Sequence, residues 1–176
     1  MRTLRTFVIL SFVLLASVKQ YGQHRSQIFV EVNHKANTLN IKQVIVFVNT
    51  TTDSLSTIVL NDWNSAYDNV NTPLAKRFSD EFYRAFHLSS PTERGNTNSI
   101  TVIDNANLFL DWNRGIEQPD LITIALRQKL APRQETHLHL TYSVKIPSDK
   151  FTRYGYNNNG TIILKLVPYS RPIRKS

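Results

Sequence analysis

Few side chains in this sequence could do chemistry: five histidines, 13 carboxylates and no cysteine. The histidines are His24, His34, His87, His137 and His139, and only the last two are spaced for joint action. Two apart on a strand, their rings point to one face, where a third ligand would complete a zinc site. The same spacing describes the polar face of an amphipathic strand, and no H-E-x-x-H occurs anywhere in the chain. Asp104 and Asp111 are the carboxylates that a glycosidase reading would pair, and Tyr154 and Tyr156 are aromatics that would stack on a sugar. Strand-end acids and loop packing account for all four without a site. There is no G-x-S-x-G and no thiol, so acyl transfer has no nucleophile motif. The five glycines form neither G-x-G-x-x-G nor G-K-[ST], which argues against a phosphate-cradling loop.

The elements that would position such residues are mostly strands. Ile28, Val30 and Val32 alternate with Gln27, Phe29, Glu31 and Asn33 over Ser26 to His34, the period of a strand with one buried face. Ile41 to Asn49 is dense in β-branched residues and reads as a strand covered on both faces in its second half. A turn at Thr50 to Ser54 leads to a strand over Leu55 to Leu60, and the three together suggest an antiparallel meander. Further strands are expected at Ile100 to Asp104, Leu108 to Trp112 and Leu121 to Leu126, and over Thr136 to Val144, the cleanest alternation in the chain. Tyr154 to Gly160 reads as a loop and Thr161 to Val167 as a last strand. One short helix is expected near residues 73–87, capped by Thr72, opened by Pro73 and carrying Leu74, Phe78, Phe82 and Phe86 as one apolar stripe. The fold class is therefore mainly β, an antiparallel sandwich with one helix.

Met1 to Gln23 has the order of a signal peptide: Arg2 and Arg5, an apolar run from Phe7 to Val18, then Lys19 and Gln20. Cleavage after Gly22 or Gln23 is expected, leaving residues 24–176 as a single exported domain, periplasmic or extracellular. The apolar run is shorter than the roughly 20 residues that span a membrane, so no stable span is expected after cleavage; an uncleaved anchor is the alternative. The formal charge of +8 shrinks when Arg2, Arg5 and Lys19 are set aside, and the remaining excess is spread out except at Arg171 to Lys175. No nucleic-acid partner is expected from so dispersed a charge.

Two stretches resemble something specific. One runs from Phe47-Val48-Asn49 through Asp53-Ser54-Leu55 and Asn61-Asp62-Trp63 to Thr72-Pro73-Leu74, Arg77-Phe78 and Arg94-Gly95; the other runs from Leu130 through Pro147 to Gly155. In this order they are similar to the N-terminal domain of exported bacterial aminopeptidase N-like zinc metallopeptidases. Ala131-Pro132-Arg133-Gln134 departs from the family's Pro-Gly turn. The resemblance implies a saddle-shaped β-sandwich that packs on a thermolysin-like zinc domain and helps wall the substrate cleft. The zinc ligands of the family lie outside the matched part, so it assigns no catalytic, cofactor-binding or metal residue to this chain.

The expectation is thus a non-catalytic metallopeptidase domain, cut off before the zinc-bearing part and inactive alone, whose partner is a missing or separately encoded catalytic domain. An exported sandwich that binds a carbohydrate or protein on its own is the alternative, and a metal enzyme built on His137 and His139 ranks last.

Overall fold

The computed structural model describes residues 24–152, 154–160, 162 and 163. The expected signal peptide, the basic tail and most of the last expected strand lie outside them. Among the described residues nine strands run in chain order: β1 (Arg25–Asn33), β2 (Thr38–Val48), β3 (Leu55–Asn61), β4 (Asn96–Ile103), β5 (Trp112–Arg114), β6 (Leu121–Leu130), β7 (Glu135–Lys145), β8 (Gly155–Tyr156) and β9 (Ile162–Ile163). They form an antiparallel sandwich. One sheet has the order β1-β2-β7-β4, the other β3-β6-β5, and β8 and β9 make a small ribbon.

The meander expected for the first three strands is not what forms. β2 lies between β1 and β7, and β3 crosses to the other sheet. β2 pairs with β7 without a break from Thr38↔Lys145 to Val48↔Glu135. Alternation on these two strands sends Leu39, Ile41, Ile45 and Phe47 inward beside Val144, Leu140 and Leu138. Ile45, Phe47, Leu138, Leu140 and Val102 meet Ile58, Leu60, Ile124 and Leu130 of the second sheet in one core. Leu39, Ile41, Val144 and Ile146 form a second cluster at the other end of the same inner face.

The turn from β6 to β7 keeps the geometry that Pro-Gly would adopt. Pro132 precedes Arg133, which sits at φ 67, and the Gln134 N–H donates to the Ala131 carbonyl at 3.1 Å, as in a type II turn. The neighbouring Asn49 is fully buried, and both ends of its amide are used. Its Nδ2 donates to the Asp53 and Leu130 carbonyls, and its Oδ1 accepts from Thr51, which ties two turns together.

Four local expectations need correction. The helix, α1, spans only Pro73–Asp80. Phe82 follows it at φ 58 as the left-handed residue of a Schellman motif: the Phe82 N–H donates to the Ser79 carbonyl and the Tyr83 N–H to the Phe78 carbonyl. The Tyr83 and Phe78 rings, 5.3 Å apart, supply the apolar contact that accompanies this motif. Phe82 is consequently 86 % exposed, while Phe86 reaches the interior from the following turns. Second, β1 is a sheet edge whose Ile28 and Val32 remain well exposed, because the second sheet does not extend over them. Third, Leu108 to Asp111 is not a strand: Phe109 makes an isolated bridge to Ile103, and pairing begins at Trp112. The expected loop after Tyr154 also contributes Gly155 and Tyr156 to a short pairing with Ile162 and Ile163.

Candidate functional site: an open groove beside a polar junction

The second sheet covers only part of the inner face of β2 and β7. Beyond its edge the face opens into a groove of about 730 Å³. Ile41, Gln43, Tyr142 and Val144 form its floor, Trp63, Asn64 and Tyr67 one wall, and Leu74, Arg77, Phe78 and Glu81 of α1 another. Its apolar lining carries a few polar groups, the usual make-up of a ligand or partner site. The Tyr142 hydroxyl donates to Gln43 Oε1 at 2.8 Å, and burial pushes its pKa up to about 12. Arg77 and Glu81, one helical turn apart, pair at 2.8 Å and stay exposed.

The residues singled out by the resemblance converge on a junction next to this groove. Asn61 ends β3, and Asp62 follows it with its side chain almost wholly buried. Asp62 accepts from the Ser65 hydroxyl at 2.8 Å and the Thr97 hydroxyl at 2.7 Å, and it pairs with Arg114. The pair joins the loop after β3 to β5, and the Thr97 bond adds β4. Arg114 also lies over Trp112, while its Nε has no hydrogen-bond partner among the described residues. Trp63 opens a short 3₁₀ helix, Trp63–Tyr67, at the groove wall and is 46 % exposed. Next to it, Asn64 accepts from the Tyr154 hydroxyl and donates to the Lys145 carbonyl. Burial pushes the Tyr154 hydroxyl well above the usual tyrosine range.

Thr72 works as the sequence predicts. Its hydroxyl accepts from the Ala75 N–H at 3.2 Å and donates to the Ala66 carbonyl at 2.7 Å, while Pro73 fills the first helical position. Leu74, Arg77 and Phe78 face the groove. Arg94 donates to the Ser89 carbonyl at 2.9 Å and lies over the Phe86 ring. Gly95 is required by packing: a Cβ there would sit 2.7 Å from Pro147 Cδ and 3.0 Å from the Lys145 carbonyl. Gly155, at φ 157, has the same restriction against the Pro147 carbonyl and the Asp149 N–H, both at 2.7 Å. Pro147 is thus wedged between two glycines. Tyr67 stands at the centre, its ring near Trp63, Phe86, Phe151 and Tyr154.

The other candidates do not assemble into a site. His137 and His139 lie on the outer face of β7, and among the described residues no group of three His, Asp or Glu is placed to hold a metal ion. His137 instead lies 3.6 Å from Glu135. Asp104 accepts from the Ala106 and Leu108 N–H groups and shapes a turn. His24 stacks on Phe47 and accepts from the Val48 N–H, and burial lowers its pKa.

Sequence reasoning missed Arg114, Thr97 and the role of Tyr154. Each acts on a residue far along the chain, and no local spacing announces such a contact. No protein-family model matches this chain, and no curated protein does.

Proposed function

We propose that this chain is a non-catalytic domain of an exported aminopeptidase N-like zinc metallopeptidase, which packs on a zinc-bearing domain and helps wall its peptide cleft. The observation that carries the reading is the convergence of the ordered motifs. Asp62, Thr72, the pair Arg94-Gly95, Pro147 and Gly155 come from separate stretches of the sequence yet lie around one junction, each with a geometric role rather than a chemical one. The groove beside the junction supplies an open, mainly apolar surface for the partner, which we place over Trp63, Leu74 and Phe78. The family's zinc belongs to that partner domain, and export rests on the residues from Met1 to Gln23.

The test is to read the coding DNA that follows the Ser176 codon for a frame encoding H-E-x-x-H and a downstream glutamate, and to express the two parts together. A stable complex with aminopeptidase activity is expected. No such frame there or elsewhere in the same genome region, or two parts that never associate, would contradict the reading.

A stand-alone binding module is the second reading, favoured by the half-exposed Trp63 with Asn61, Asn64 and Arg77 around it, an aromatic platform with polar neighbours. A glycan array with immobilised protein separates the two: a sugar bound at Trp63 supports the module, and an array without hits removes its carbohydrate form.

A further inference from the structure

The sheet edges of this molecule are not treated alike. An unpaired strand edge presents N–H and C=O groups that invite another strand, and proteins blunt such edges with bulges, shortness, proline or lysine. β4 breaks register with β7 between Asn98 and Thr101, with Ser99 at φ 54, and Phe109 bridges to its end. β3 breaks register with β6 between Leu55 and Thr57. β5 has three residues. β1 has none of these devices. Its nine residues pair with β2 in unbroken register from Arg25↔Val46 to Asn33↔Thr38, and among the described residues β2 is its one neighbour. Its sequence, RSQIFVEVN, contains no proline, glycine or lysine, and Ile28, Phe29 and Val32 are 39 %, 58 % and 37 % exposed.

We infer that β1 is a self-pairing edge: two copies of this chain join β1 to β1 antiparallel, about a twofold axis through Ile28, into one continuous sheet. The charges on the strand select this partner and this register. With Ile28 opposite its own copy, Arg25 falls opposite Glu31 of the second molecule, and symmetry makes the pair twice. Arg25, Gln27, Phe29 and Glu31 share the outer face, so the ion pairs flank Phe29 lying across Gln27, while Ser26 and Val30 meet on the inner face beside Ile28. Arg25 already has Glu135 at 3.8 Å, and a second carboxylate would complete its cluster. A strand of unrelated charge lacks this match.

Sedimentation velocity over a concentration series is the first measurement, and wild-type protein is expected to dimerise by about 100 μM. R25E and E31R should each weaken the dimer roughly tenfold, because every pair becomes a like-charge pair. Mixed together, the two variants should recover it as a heterodimer, since each then faces its opposite. The chain has no cysteine of its own, so I28C reports alone; on oxidation it should give a disulfide-linked dimer, whereas K76C on the exposed side of α1 should not. A monomer throughout the series, a dimer indifferent to both charge reversals, a mixture that fails to recover, or equal cross-linking at K76C would each overturn the proposal. Indifference to the charges would point to association through the groove instead.

Discussion

One pair of strands, β2 and β7, lines two unlike environments. At one end Ile45, Phe47, Leu138 and Leu140 are sealed under the second sheet; at the other Ile41, Tyr142 and Val144 form the floor of an open groove. The alternation is the same along both ends, so period alone says which side chains point inward and not what covers them. Coverage is set by the second sheet, which is the narrower of the two: it has three strands against four, and one of them, β5, has only three residues. The sealed end belongs to the main core, whereas at the open end Ile41 and Val144 share a second, smaller cluster beneath the groove.

Substitutions should separate the two ends. Ile124→Ala or Leu138→Ala, both at fully buried positions, should cost about 3–4 kcal/mol in urea unfolding by lost transfer energy and the cavity left behind. Leu74→Ala on the half-buried groove wall should cost about 1 kcal/mol. Equal losses would mean that the groove is closed in solution. The junction comes next. Asp62→Ala removes the partner of Arg114 and the acceptor of Ser65 and Thr97, and should cost about 2–3 kcal/mol, discounted because Arg114 keeps some solvent contact. Asp62→Asn should recover part of this through its remaining acceptor oxygen.

Smaller and opposite in sign is Phe82→Gly. Phe82 holds a left-handed conformation at the helix terminus with its side chain in water, so glycine should stabilise by about 1 kcal/mol. A loss of stability would mean that the exposed ring packs against something in solution.

Much of the fold was legible because its signals are local. The alternation from Thr136 to Val144, the Thr72-Pro73 helix start and the turn before Glu135 each reside in a few consecutive residues, and each forms where expected. The failures arose where distant parts decide. Leu74, Phe78, Phe82 and Phe86 fit a helical stripe, but no glycine marks the stop, and Phe82 takes the place glycine would fill. Ile28 and Val32 alternate as a buried face would, yet nothing in their own strand reveals that the other sheet is narrower. The candidate site was half visible. Asp62, Gly95 and Pro147 could be marked by type and order, whereas Arg114 and Tyr154 join them only through tertiary contact.

The pH profile should carry the smallest effect, and on the acid side both contributing groups act in one direction. His24 has its pKa lowered by burial, so the unfolded chain takes up its proton first, and stability should begin to fall below about pH 6.5. Glu93 is held at about 2 by the Lys150 ammonium and the Ser90 N–H. Its contribution is complete above the unfolded value of 4.5 and is lost as pH falls toward 2. Thermal melts from pH 8 to pH 2 should show both declines, and Glu93→Gln should flatten the lower one.

Whether the open groove is the face that the proposed zinc-bearing partner covers can be read from the emission of Trp63. In a Trp112→Phe variant Trp63 is the one tryptophan left and reports from the groove wall. Titration with the zinc-bearing domain proposed as its partner should shift its emission to the blue and shield it from acrylamide as a complex forms. A complex that forms while Trp63 stays as exposed as in the free protein would contradict the account.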